Sequence, residues 1–61
     1  MYEYLRIMKK AYSKSNTNKE RALLMLNYRA SLFALYKANK ISVDMWEFLT
    51  LKNSYLFFNT L

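Results

Sequence analysis

The side chains able to do chemistry in this chain are few in kind. Its 61 residues include no cysteine and no histidine, and the only carboxylates are Glu3, Glu20, Asp44 and Glu47. Enzymes draw their nucleophiles and acid–base groups mostly from thiols, imidazoles and poised carboxylates, and structural zinc sites draw on cysteine and histidine. Tyrosine, lysine and serine remain, without the neighbours that usually activate them. No catalytic residue, metal or cofactor is therefore expected, and the chemistry left is that of binding. Arg6, Lys9, Lys10 and Lys14 share one broad helical face, a candidate contact for nucleic-acid phosphates or for an acidic partner. Six tyrosines and four phenylalanines are able to stack on bases, but most fall on helical seams, which points to packing.

The elements that must position these groups follow from the apolar spacing. Met1, Tyr4, Leu5, Met8, Ala11 and Tyr12 recur every three or four residues, the stripe of an amphipathic helix. The polar run SKSNTN breaks it, and Thr17 with Glu20 has the spacing of a capping box. The next helix carries two apolar seams: Leu23, Leu26, Ala30 and Phe33, then Met25, Tyr28, Leu32 and Leu35. Two seams predict two neighbours, with this helix at the centre. Asn39 is suited to the left-handed ending of a helix, and Lys37 and Lys40 to the negative end of its dipole. Ser42 then reads as the cap of a third helix, with Ile41 and Trp46 placed as a hydrophobic staple. In that helix Met45, Phe48, Leu49, Leu51, Tyr55, Leu56 and Phe58 form the apolar side, while Asp44, Glu47, Thr50, Asn53 and Ser54 lie off it. The expected architecture is a single all-α domain over 1–61, a small three-helix bundle with helices at about 2–14, 18–38 and 43–58.

Composition bounds the rest. Glycine and proline are both absent, which removes the usual hairpin turns and phosphate-cradling loops. Apolar runs are far shorter than the roughly 20 residues that span a bilayer, and the N-terminal residues lack the pattern of a secretory signal, so an intracellular location is expected. The net charge of +6 is concentrated in residues 1–21. A chain this short, without disulfide or metal, is marginal as a lone monomer, and completion by a second copy or by another protein is expected. The C-terminal YLFFNTL adds more apolar surface than one core can bury: of the adjacent Phe57 and Phe58, one is expected inside and the other outside. Trp46, Tyr55, Phe57, Phe58 and Leu61 are the candidate interface residues, although core packing outweighs interface for Trp46.

Two family resemblances attach to these residues. YLRIMKK and NKISVDMWEFL resemble parts of the small enterobacterial nucleoid modulators of the Hha and YmoA type, on Tyr4, Leu5, a following basic pair, Lys40, Ile41, Trp46 and Phe48. The linking region is shorter here, and that family's acidic-His-Arg segment is missing, with Arg29 its nearest counterpart. Tyr4-Leu5-Arg6, followed by Arg21, Arg29, Phe33 and Asn39, resembles the spacing of mitochondrial LYR-motif adaptor subunits, with Tyr-Leu-Arg in place of Leu-Tyr-Arg in a shorter chain. Neither likeness amounts to membership. Both imply a helical, non-catalytic adaptor. Heavy use of Lys, Asn, Tyr, Phe, Leu and Ile further suggests an AT-rich genome, such as that of a bacteriophage or mobile element. The expected function is a small non-enzymatic protein-binding module, a regulator or inhibitor acting through helical apolar contacts. The alternatives are a basic nucleic-acid-associated factor and a small adaptor subunit of a larger complex.

Overall fold

The computed structural model describes residues 2–59, and within them three helices form an all-α bundle: α1 at Tyr2–Lys14, α2 at Asn18–Lys37 and α3 at Val43–Asn59. The expected spans differ only at their ends, where Ala38 belongs to the turn and Asn59 extends α3. Tyr4, at the start of α1, donates to Ser31 Oγ late in α2 at 2.9 Å, so α1 and α2 run antiparallel. Trp46, at the start of α3, stacks on Tyr36 at the end of α2 with centroids 4.9 Å apart and planes at 11°, so α3 reverses direction again.

Local cap chemistry makes both joints. Thr17 holds extended backbone angles and its hydroxyl accepts from the Glu20 N–H at 3.1 Å. Glu20 reaches back to the N–H of Asn16 at 3.0 Å, one residue beyond the reciprocal partner of an ideal capping box. At the other joint Asn39 has φ 61°, the left-handed region that asparagine tolerates better than other residues with a β-carbon. That conformation lets the Asn39 N–H donate to Tyr36 O at 3.0 Å and the Lys40 N–H to Leu35 O at 2.9 Å, the paired bonds of a Schellman ending. Ser42 Oγ then accepts from Met45 N–H at 3.2 Å. Ile41 and Trp46 are both half-buried at this joint, and Phe33 adds a third ring, 6.0 Å from Trp46.

The core is small: Met8, Tyr12, Leu32 and Leu49 are its buried hydrophobic residues. The α1 stripe lies as expected, with Tyr4, Leu5 and Ala11 half-buried around Met8 and Tyr12; Met1 falls outside the described residues. Two expectations are corrected. The α2 seam of Met25, Tyr28, Leu32 and Leu35 faces the bundle, whereas Leu23, Leu26, Ala30 and Phe33 are exposed. The middle of the bundle is α3, which packs along both other helices, while α1 and α2 meet over a shorter stretch. A two-seamed helix needs two neighbours only if both lie on different sides of it; here one neighbour pair shares the inner side. Among the described residues no helix is long and apolar enough to cross a membrane.

The 38–42 joint supplies a direct check. Ser42→Ala should lower stability by about 1 kcal/mol through the lost cap, and Asn39→Ala by a similar amount, on the order of 1 kcal/mol, through its positive φ. Asn39→Gly should hold or raise the denaturation midpoint, and a loss in that variant would contradict the left-handed ending.

Candidate protein-binding face

A polar centre fixes which side of α3 turns inward. Arg21, in the first turns of α2, is only 4% exposed. One guanidinium nitrogen, Nη1, donates to the Tyr12 carbonyl at 2.8 Å, and Nη2 donates to the Phe57 carbonyl. Both acceptors lie among the last four carbonyls of their helices, where the regular i to i+4 ladder runs out; that of Tyr12 also accepts from the Ser15 N–H at 3.3 Å. One cation thus sits at the negative ends of α1 and α3 together. It is also flanked by rings, 5.5 Å from the Tyr12 centroid and 5.3 Å from that of Phe57, the geometry of cation–π attraction.

Asn53, expected off the apolar face, is instead fully buried. Its side-chain carbonyl accepts from the Tyr12 hydroxyl, and its amide donates to the Met25 carbonyl at 3.2 Å. One residue therefore joins α3 to both other helices, and its polar atoms are satisfied, as burial demands. Tyr12 also meets Tyr28 and Phe57 edge-on at 6.0 and 5.9 Å. Burial, with Tyr28 nearby adding to it and Arg21 opposing, pushes the Tyr12 hydroxyl up from 10.0 to about 12. The Tyr28 hydroxyl is also raised, by burial and then by Tyr4.

With Trp46, Leu49, Asn53, Leu56 and Phe57 turned toward the bundle, the opposite side of α3 presents a second apolar stripe to solvent. Phe48, Leu51, Tyr55 and Phe58 are 39%, 71%, 59% and 65% exposed. Their spacing of three, four and three residues keeps them on one face over about 15 Å of helix. Lys52 lies along its edge, its Nζ 5.8 Å from the Phe48 centroid and 5.4 Å from that of Tyr55. Beside it a groove of about 360 Å³ runs between α1 and α3, with Leu5, Leu56 and Tyr55 as its apolar lining and Arg6, Lys9 and Lys52 as cations.

The expected site residues are therefore divided. Arg6 and Lys9 join Tyr55 at the α1–α3 groove, while Lys14 borders a different hollow between α1 and α2 with Glu20 and Leu23. Lys10 lines neither of these grooves and is exposed. Arg6 also approaches Glu3, at 3.9 Å between exposed groups, a pair of little energetic consequence. Phe57 is the inward phenylalanine and Phe58 the outward one. Trp46 spends much of its ring on Tyr36 and Phe33, and Leu61 lies outside the described residues. Arg21, Lys52, Phe48 and Leu51 were not among the expected site residues. Arg21 continues the inner seam of α2 (21, 25, 28, 32, 35) and Asn53 that of α3 (46, 49, 53, 56), so spacing alone, disregarding polarity, carried their positions. Among the described residues no group of three acidic side chains is placed to hold a metal ion. No protein-family model, curated protein or solved structure matches the chain, and the likenesses to nucleoid modulators and LYR-motif adaptors remain resemblances in a few residues.

The Tyr12 hydroxyl gives a signature in alkali. Because the fold holds this proton more tightly than the unfolded chain does, its contribution is complete below pH 10 and is lost as pH rises from 10 toward about 12, on the order of 2 kcal/mol in all. Tyr12→Phe should be less stable at neutral pH and lose less on going to pH 12, Tyr28 accounting for part of what remains. Parallel pH profiles for the two proteins would contradict the burial of the Tyr12 hydroxyl.

Proposed function

We propose that the chain is a small non-catalytic protein-binding module, a regulator or inhibitor that works by laying a helical apolar face on a protein surface. The observation that carries this reading is the exposed Phe48–Leu51–Tyr55–Phe58 stripe on α3, the helix that packs along both of the others. A contiguous apolar face on a packed helix is a feature of protein contacts, and aromatic residues are enriched in them. The exposed Arg6, Lys9, Lys10 and Lys14 favour nucleic-acid association as the second reading, but they are dispersed over two grooves and the outer surface of α1.

Affinity capture from the native host separates the two. A protein partner should be retained through high salt, because apolar contacts are little screened, and should be lost with the exposed-site variant Leu51→Ser, whose folding is checked by circular dichroism. Capture of nucleic acid alone, released steeply as salt rises and indifferent to Leu51→Ser, would replace the first reading with the second.

A further inference from the structure

We infer that the outer face of α3 is built to pair with α3 of a second copy of this chain, the two helices running parallel about a two-fold axis. The inference rests on reading this face as protein-binding and names its occupant. Phe48, Leu51, Tyr55 and Phe58 hold the a, d, a and d positions of a heptad seam. In that register Glu47 occupies g and Lys52 the following e. A parallel pair places g of one helix beside the e position five residues on in its partner, about 7.5 Å along the axis and within the span of the two side chains. Glu47 of each copy would thus meet Lys52 of the other, twice by symmetry.

Three observations favour this occupant. Among the described residues neither Glu47 nor Lys52 has an ion-pair partner within the chain. Lys52 is held against the Phe48 and Tyr55 rings, so its ammonium is placed at the edge of the seam before any partner arrives. The charge around the stripe is mixed, Asp44 and Glu47 against Lys52, with Arg6 and Lys9 on the groove beside it. The exposed α2 stripe is different: Leu23, Leu26, Ala30 and Phe33 are accompanied by Lys19, Arg29 and Lys37, with Glu20 the nearby acid, and two copies of this locally positive face would repel. An antiparallel pair on α3 would set the Glu47 edge on the Glu47 edge and the Lys52 edge on the Lys52 edge. Asp44 continues the spacing one step toward the helix N-terminus and ends the seam, since two carboxylates would face each other. A seam this short gives a weak, concentration-dependent dimer.

Sedimentation of the full chain from roughly 1 µM to 1 mM, at 0.15 M salt, tests the pairing. The wild type should dimerise as concentration rises. Glu47→Lys and Lys52→Glu should each weaken dimerisation by about tenfold or more. An equimolar mixture of the two should form a heterodimer, and the double variant E47K/K52E should recover the wild-type behaviour. These positions are exposed, and circular dichroism of each variant is to match that of the wild type for the comparison to count. A wild type that stays monomeric throughout, or single variants that dimerise as well as the wild type, would overturn the parallel pair. A monomer that instead collects on vesicles of anionic phospholipid would assign the face to a lipid surface. If a monomeric wild type still captures a host protein that Leu51→Ser loses, the protein-binding reading stands and only the second copy is rejected.

Discussion

The Arg21 guanidinium organises this fold from a place where charge is ordinarily excluded. Burying a cation costs several kcal/mol unless hydrogen bonds and attraction replace its water. Here the replacement comes from helix ends: carbonyls of Tyr12 and Phe57 accept from it, and the negative ends of two helix dipoles converge on it. Since α1 and α3 run the same way, their C-terminal ends lie together beside the start of α2, and one planar fork reaches both. A lysine, with a single point of charge, is a poorer match for two carbonyls on different helices.

Asn53 extends this constraint along α3. It requires the Tyr12 hydroxyl and the Met25 carbonyl at once, and rotating α3 about its axis would strand both a buried amide and a buried phenol. An all-apolar inner face would tolerate such a rotation at small cost, because one apolar contact replaces another. Polar matching therefore selects one face of an otherwise widely apolar helix for the core. Phe48, Leu51, Tyr55 and Phe58 are left outside by that choice, and the same helix that completes the core carries the candidate contact surface. The aromatic set of Phe33, Tyr36 and Trp46 closes the far end of the bundle, so α3 is anchored near both termini.

Helix limits and joints were legible in the sequence because capping is local. Thr17, Asn39 and Ser42 act within a few residues of themselves, and the spacing that identifies them is the spacing over which they bond. The Glu20 bond to Asn16 differs from the expected partner by one residue, a difference of loop geometry that spacing does not encode. Periodicity revealed both α2 seams without telling which faced inward, because solvent and neighbouring helix select among apolar stripes only in three dimensions. It also hid Arg21 and Asn53, since sorting residues by polarity sends an arginine and an asparagine outward even at core spacing. The candidate face was half legible: Tyr55 and Phe58 were marked by the surplus of apolar residues in the tail. Phe48 and Leu51 share the apolar character of the inner residues, and only the burial of Asn53 on the opposite side of α3 distinguishes them as outward.

The dependence of the fold on the Arg21 fork is tested most directly by equilibrium denaturation of Arg21→Lys at neutral pH. This substitution keeps the charge and most of the apolar stem but removes the planar fork. A loss of about 2 kcal/mol or more, in line with charge-assisted hydrogen bonds forfeited at a buried site, is expected. A denaturation midpoint equal to that of the wild type would contradict the central place given to Arg21.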